Sequence, residues 1–209
     1  MLATLVLVGS LAVATAAEDS PRPDVLVADF EGDDYGGWKA TGDAFGDAPA
    51  RGTLPGQMPV EGYLGRGLVN SFRNGDDSTG DLTSPPFKID RTHLNFLIGG
   101  GGWAGETGLD LLVDGRVARS AVGPNRDPGG SERLRWDAWD VKDLQGKEAT
   151  LRVVDRRKGG WGHVNVDQIV QTDTPKIPQA ATRAIALEKR FLHIPVKTGG
   201  PKYRAKILG

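Results

Sequence analysis

Hydrophobic residues in this chain fall into short runs that alternate with polar positions and end at glycine, proline or aspartate. Such alternation is typical of β-strands with one buried face, and we find no convincing amphipathic helix. Leu134, Trp136 and Ala138 alternate in this way, so we expect Trp136 in the core. The run from Leu94 to Ile98 predicts a strand buried on both faces. About eight such segments separated by turns predict an all-β fold, a two-sheet β-sandwich of jelly-roll type.

The stretch FLIGGGGWAGETG, from Phe96 to Gly108, contains the G-x-G-x-x-G spacing of dinucleotide-binding loops. Such a loop needs a helix directly after it, because the helix N-terminus binds the phosphate. Here two strands joined by an Asp114-Gly115 turn of type I′ follow, and Glu106 would repel a phosphate. We therefore interpret the glycines as sites of close backbone approach, or as an open surface for a flat ligand.

Composition and charge restrict the class of protein. The 209 residues include 30 glycines and 13 prolines, which fits a turn-rich β fold. The net charge of −1 argues against nucleic-acid binding, which needs a clear basic excess. There is no cysteine, so a secreted fold would have to be stable without disulfides.

The two ends of the chain differ from its middle. Residues 1–17 predict a signal peptide with an A-x-A cleavage motif, although no basic residue precedes its apolar core. A membrane anchor, or a start codon inside a longer signal, is the alternative. We expect the sandwich over residues 24–172, a linker over 173–182, and an incomplete β-rich domain over 183–209. The chain would then be part of a longer secreted or periplasmic protein, free of the membrane after signal cleavage.

Three sets of loop residues are candidates for a carbohydrate site. Small-molecule sites combine aromatic rings with a few well-placed polar groups. The sets are Trp103 with Glu106, Arg73 with Asp76 and Asp77, and Trp161 with His163. Trp103 has only small neighbours, so we expect an unshielded ring, with Arg73 and Asp76 completing a shallow site. For the third set, the alternative is that Trp161 packs in the core while His163 only bonds to backbone.

Acidic residues on the first and last predicted strands are candidates for a structural calcium site. Asp29 and Glu31 lie on the first strand, and Asp167 lies on the last. Carboxylate oxygens are the ligands that calcium prefers. The alternative is that these are ordinary solvated acidic residues. The three histidines are too scattered for a zinc site.

The most specific segments of the chain are TLPGQMPVEGYLG and GGWGHVNVD, which occur with ADFEGDDYGGW, NFLIGGGG and WDAWDVKDLQGKEATLRVVD. Together they resemble the N-terminal β-sandwich that precedes the catalytic propeller in bacterial glycoside hydrolases of family 32, the levanases, inulinases and related β-fructosidases. The resemblance extends from Val27 to about Ile207. It implies a module classed with those that hold the terminal fructose of levan. It also implies a catalytic domain further along the same polypeptide.

The catalytic motifs of that family do not carry over to this chain. Asn-Asp-Pro and Glu-Cys are missing, and we interpret Arg126-Asp127-Pro128, which matches the family's Arg-Asp-Pro, as a coincidence within a loop of the sandwich. We therefore expect a non-catalytic chain with one of two functions. Either it binds fructan for a parent enzyme that hydrolyses levan, inulin or sucrose, or it is a purely structural sandwich that packs against the catalytic domain.

Overall fold

The computed structural model describes residues 22–177, and these residues form two antiparallel β-sheets. The strands are β1 (Val25–Ala28), β2 (Lys39–Gly42), β3 (Val69–Asn70), β4 (Gly80–Thr83), β5 (Phe87–Lys88), β6 (His93–Gly100), β7 (Thr107–Val113), β8 (Arg116–Ala121), β9 (Arg135–Asp140), β10 (Glu148–Asp155) and β11 (Val164–Thr172). A short 3-10 turn, Lys142–Leu144, connects β9 to β10. The predicted all-β, two-sheet sandwich is confirmed.

The two sheets have different strand orders. In the described residues, the first sheet has the order β1-β11-β6-β9, with β3 also paired to β11. The second sheet has the order β2-β4-β10-β7-β8, with β5 also paired to β10. Pro85 and Pro86 separate β4 from β5, which pair with different parts of β10. Strands that follow one another in the sequence often belong to different sheets, so the chain crosses between the sheets repeatedly, as in a jelly roll.

Alternate residues of β6 enter two different cores. Leu94, Phe96 and Ile98 belong to the inner core between the sheets, whereas Leu97 belongs to an outer core. The buried members of the outer core are Ala50, Val60, Leu68, Leu97 and Leu134. Because the segment 50–68 covers this outer face, the strand is buried on both sides, as its sequence predicted.

The two tryptophans of β9 pack in different cores. Trp139 is buried in the inner core, with its ring centroid 4.5 Å from that of Phe96. Trp136 is only half-buried and packs on the outer core, near Lys176. The prediction that Trp136 fills the main core is therefore wrong, because the outer face of the sheet also buries apolar residues.

The hairpin between β7 and β8 has the predicted turn. Asp114 and Gly115 have φ angles of 51° and 71°, the positive values that a type I′ turn requires at both central positions. Positive φ is most easily adopted by glycine and tolerated by aspartate, which is why this dipeptide indicated the turn.

The glycines after β6 serve close backbone approach. Gly101 and Gly102 are buried, and a Cβ atom at Gly101 would overlap the carbonyl oxygen of Trp161. The Gly101 N–H donates to the carbonyl oxygen of His163 over 2.8 Å. The first of our two interpretations of the glycines is therefore right, and the open surface is wrong. The run fixes the segment around Trp161 and His163 against the end of β6.

The first and last described residues lie side by side. β1 pairs with β11, and the guanidinium of Arg22 lies 2.6 Å from the carboxylate of Asp173. The N–H of Lys176 donates to Asn95 Oδ1 over 2.6 Å. The start of the predicted linker thus contacts the sandwich. The predicted signal peptide and the segment 183–209 lie outside the described residues.

Candidate functional site

A surface pocket of about 430 Å³ opens at the end of the sandwich where β6 ends and β11 begins. We call it the end pocket. Its lining side chains include Met58, Phe72, Asp76, Arg126, Glu132, Trp161 and His163. Three of the residues that the sequence indicated, Asp76, Trp161 and His163, therefore lie together.

His163 is buried between two carboxylates. Its Nδ1 lies 2.6 Å from Asp76 Oδ1, and its Nε2 lies 2.9 Å from Glu132 Oε2. Because both ring nitrogens face acceptor-only oxygens, both donate, and the ring is an imidazolium. Burial alone would lower the pKa of His163, but the hydrogen bonds and charges of Glu132 and Asp76 outweigh it and raise the pKa. The alternative that His163 bonds only to backbone is wrong.

Trp161 forms the floor of the end pocket. Only 8% of it is exposed, and its Nε1–H donates to the carbonyl oxygen of Asp127 over 3.0 Å. Its φ of 59° is rare for a bulky residue. Its ring lies 5.6 Å from that of His163, and the ring of Phe72 meets His163 edge-on at 5.0 Å. Trp161 thus belongs to the packed end of the sandwich, with a small apolar surface facing the pocket.

Arg126 and Asp76 bring polar groups to the pocket that the protein does not use fully. Arg126 Nε donates to the carbonyl oxygen of Gly102 over 2.7 Å. Its two terminal nitrogens form no hydrogen bond with other described residues, and Asp76 Oδ2 forms none either. The pocket therefore offers donors and an acceptor that can bridge the hydroxyls of a ligand.

Asp155 lies close to the His163 cluster without a strong partner of its own. It is fully buried, and neither carboxylate oxygen has a hydrogen bond of normal geometry. Burial raises the pKa of Asp155 to about 7, and weak contacts from Ser71 together with the charge of His163 offset this only in part. Asp155 can therefore exchange a proton near neutral pH.

The other sequence candidates do not line the end pocket. Arg157 covers Trp103, its guanidinium carbon lying 3.9 Å from the ring centroid, so the expectation of an unshielded ring is wrong. Glu106 forms an ion pair with Arg157 at 3.4 Å. The guanidinium of Arg73 packs over Gly46. The single shallow site that we expected from Trp103, Arg73 and Asp76 is therefore not formed.

The proposed calcium ligands bond to backbone groups. Glu31 Oε1 accepts from the N–H groups of Arg66 and Gly67, both over 2.8 Å. Asp167 is buried, and its Oδ2 accepts from Leu64 N–H over 2.7 Å. Burial, together with the charges of Glu31 and Asp29, raises the pKa of Asp167 to about 7. Within residues 22–177 no group of three or more acidic, histidine or cysteine residues is placed to hold a metal ion, so the structure does not support the calcium prediction.

Sequence reasoning missed two charged residues of the pocket. Arg126 belongs to the Arg-Asp-Pro match that we interpreted as coincidence, and the same loop places its Asp127 carbonyl on Trp161. Glu132 is 98% buried despite its charge, because His163 and Asn165 both donate to it. Nothing in its local sequence distinguishes Glu132 from an exposed loop residue.

No protein-family model matches the chain. Over 164 residues, or 77% of the chain, it is 42% identical to the curated protein "Putative glycosyl hydrolase ecdE" of Aspergillus rugulosus. The chain is thus similar to part of a glycosyl hydrolase. It spans 23% of the length of that relative.

Two solved structures are distantly similar. The K1 cleaved adhesin domain of Lys-gingipain from Porphyromonas gingivalis W83 is 17% identical, covers 73% of this chain and 99% of its own, and has a TM-score of 0.43. A family 35 carbohydrate binding module from Clostridium thermocellum is 14% identical, covers 65% of this chain and 99% of its own, and has a TM-score of 0.35. These scores are too low to indicate a shared function.

In the described part of the chain, no helix is both long enough and apolar enough to span a membrane.

Proposed function

We propose that the sandwich is a non-catalytic accessory module that binds carbohydrate for a glycoside hydrolase, with the end pocket as its site. The observation that carries the proposal is the pocket's combination of an apolar floor at Trp161 with unused polar atoms of Arg126 and Asp76. A sugar presents apolar C–H faces and a ring of hydroxyls, so it can contact the floor and bond to the polar atoms together. The rigid base formed by His163 and Glu132 holds Asp76 in place for this role.

The parent protein is, in this proposal, a secreted enzyme. The 42% identity to part of a glycosyl hydrolase supports the general class. The finer assignment rests on the segments that resemble family 32. It makes the parent a β-fructosidase acting on levan, inulin or sucrose, the pocket a fructose-binding site, and the catalytic domain of the same polypeptide a partner. In this proposal the chemistry belongs to that other domain, which agrees with the missing Asn-Asp-Pro and Glu-Cys motifs of this chain.

Calorimetric titration of the chain with levan and inulin oligosaccharides tests the site. We expect dissociation constants in the micromolar to millimolar range, about −4 to −8 kcal/mol. Arg126→Ala should weaken binding about tenfold or more, since a hydrogen bond to a charged group contributes about 1.5–3 kcal/mol. Arg116→Ala is the matched control, because Arg116 is also exposed but follows the Asp114-Gly115 turn at the other end of β7.

Two outcomes would contradict the proposal. Equal affinity in the wild type and Arg126→Ala would exclude the end pocket as the site. Release of fructose from levan, inulin or sucrose by the purified chain, abolished by one carboxylate substitution, would contradict the non-catalytic assignment. If no carbohydrate binds at all, the alternative of a purely structural sandwich that packs against a catalytic domain takes its place.

A further inference from the structure

A second concave surface lies between the end of β1 with the β1–β2 connection on one side and the β4–β5 connection on the other. We call it the edge groove. Its volume of about 470 Å³ lies within the range of small-molecule sites, about 300–1,000 Å³. We propose that the edge groove is a second carbohydrate site, which binds the interior of a neutral polysaccharide chain independently of the end pocket.

The walls of the edge groove are aromatic and held in place by packing. Trp38 and Phe87 are half-buried and pack on the inner core, so each keeps part of its ring at the surface. The ring of Phe30 meets Trp38 edge-on at 5.3 Å and fixes its orientation. Aromatic rings set in this way can contact the C–H faces of sugar units without first losing side-chain freedom.

A glycine and a proline set the shape of the groove. A Cβ atom at Gly37 would press on the ring of Pro85, so only glycine lets this loop approach the β4–β5 connection closely. Pro85 and Pro86 have fixed φ angles, which makes the opposite wall stiff. The groove is therefore already formed in the unliganded protein, as most ligand sites are.

The polar groups of the edge groove suit hydroxyls. Asp34 Oδ1 accepts from Gly36 N–H over 2.7 Å, whereas Asp34 Oδ2 has no hydrogen bond to any described residue. The Trp38 indole N–H also forms no hydrogen bond with residues 22–177. One acceptor and one donor thus lie beside the aromatic surface, which matches the alternating C–H faces and hydroxyls of a glycan.

The charge of the edge groove excludes acidic polysaccharides. Asp29 and Asp34 line it, while its described lining contains no lysine or arginine. Carboxylates of a polyuronate would meet like charges there with no cation to pair with. The groove runs between the β1–β2 connection and the β4–β5 connection and shares no lining residue with the end pocket. A groove between two such walls suits the middle of a long chain rather than a terminal sugar.

Affinity electrophoresis in gels containing levan, inulin, mixed-linkage β-glucan, xylan or polygalacturonate tests the proposal. The experiment uses Arg126→Ala, which weakens the end pocket, so that the edge groove accounts for a larger share of the retardation. We expect at least one neutral polymer to retard this variant and polygalacturonate not to do so. Adding Trp38→Ala should lower the residual affinity at least tenfold. Adding Trp136→Ala, a half-buried tryptophan outside both pockets, should not.

The indole N–H signals of the folded wild-type protein provide a test that does not depend on whether Trp38→Ala folds. Five tryptophans give five indole N–H signals, and the Trp38 signal can be assigned as the one that Trp38→Phe removes. This signal should shift when the retarding polymer's oligosaccharide is added, whereas the Trp136 signal should not. The proposal is overturned if the Trp38 signal does not move, if Trp38→Ala keeps full residual affinity, or if no neutral polymer binds the Arg126→Ala protein. The end-pocket proposal is judged separately, by comparing Arg126→Ala with the wild type.

Discussion

His163 is a charged side chain in a buried position, and Glu132 is the partner that makes this possible. The carboxylate of Glu132 is 2% exposed and accepts from both His163 and Asn165. Two opposite charges that are buried and hydrogen-bonded to each other stabilise one another, but either one alone is costly. The stability of the end pocket should therefore depend strongly on this pair.

We expect Glu132→Gln to destabilise the protein by about 3 kcal/mol, because it leaves the buried imidazolium with one carboxylate fewer. The glutamine amide would also direct its N–H groups at a ring nitrogen that is itself a donor. Urea denaturation at pH 7 measures the change. Glu148→Gln on the exposed start of β10 is the control and should change the free energy of unfolding little. Equal effects of the two substitutions would contradict this account of His163.

The stability of the protein should fall as the pH rises from 5 to 7. The pKa of Asp155 is about 7 when folded, above the ordinary value of 3.8, so the folded state binds the extra proton between these values. That contribution is lost as the pH rises through 7, and it amounts to about 2 kcal/mol between pH 5 and pH 7. His163 also lowers the free energy of unfolding as the pH rises, but at higher pH. Its pKa is raised in the folded state, so the stability that its charged form contributes is lost when the ring loses its proton.

Asp155→Asn should remove this part of the pH dependence. Urea denaturation at pH 5, 6 and 7 should give a slope flatter than that of the wild type, with Asp167 still contributing its own share. Asp114→Asn is the control, because Asp114 is exposed and an Asn-Gly turn keeps the same geometry. An unchanged slope in Asp155→Asn would mean that Asp155 is ionised throughout this range.

The end of β6 positions the end pocket. Gly101 lies so close to the Trp161 carbonyl that any side chain there would push the β10–β11 connection outward. Gly101→Ala should destabilise the protein by about 2–3 kcal/mol, as overpacking against backbone does. Gly160→Ala is the matched control, since its Cβ would meet nothing within 4 Å. Thermal melts compare them, and equal melting temperatures would contradict the close packing described here.

The elements were more predictable from the sequence than the site. The alternation at Leu134 and the Asp114-Gly115 dipeptide depend on local physics, so they predicted strands and a turn that the structure contains. The end pocket depends on four segments that lie far apart in the sequence, and no local pattern shows which of them meet. Trp103 illustrates the difference. Its small neighbours indicated an exposed ring, but Arg157 from another connection covers it.

Residues 22–177 should fold without the rest of the chain. The inner core is closed by both sheets, and β1 is held to β11 by a ladder and by the ion pair between Arg22 and Asp173. We expect a protein of residues 22–177 to melt cooperatively at the temperature of the full chain. Limited proteolysis should leave a core that ends after residue 177. Cleavage within β6 to β8 would contradict the domain boundaries.

A shorter truncation tests the joint contribution of β1 and Arg22. Residues 29–177 lack β1, which exposes an edge of β11 and removes Val27 and Ala28 from the inner core. This shorter protein should melt at a clearly lower temperature than residues 22–177. If the two melt alike, β1 is not part of the cooperative unit.

The side-by-side position of β1 and β11 also determines how the module would respond to force. Both described ends leave the sandwich at the same side, beside the pairing of Val25 with Gln171. A force applied between the two ends would load the hydrogen bonds of the β1–β11 ladder one after another, starting at Val25 and Gln171. Strands pulled from opposite ends would instead bear the load on all their bonds at once. A protein tethered through these two ends would therefore yield at a low force, beginning at the end remote from His163 and leaving the end pocket intact until the ladder had opened.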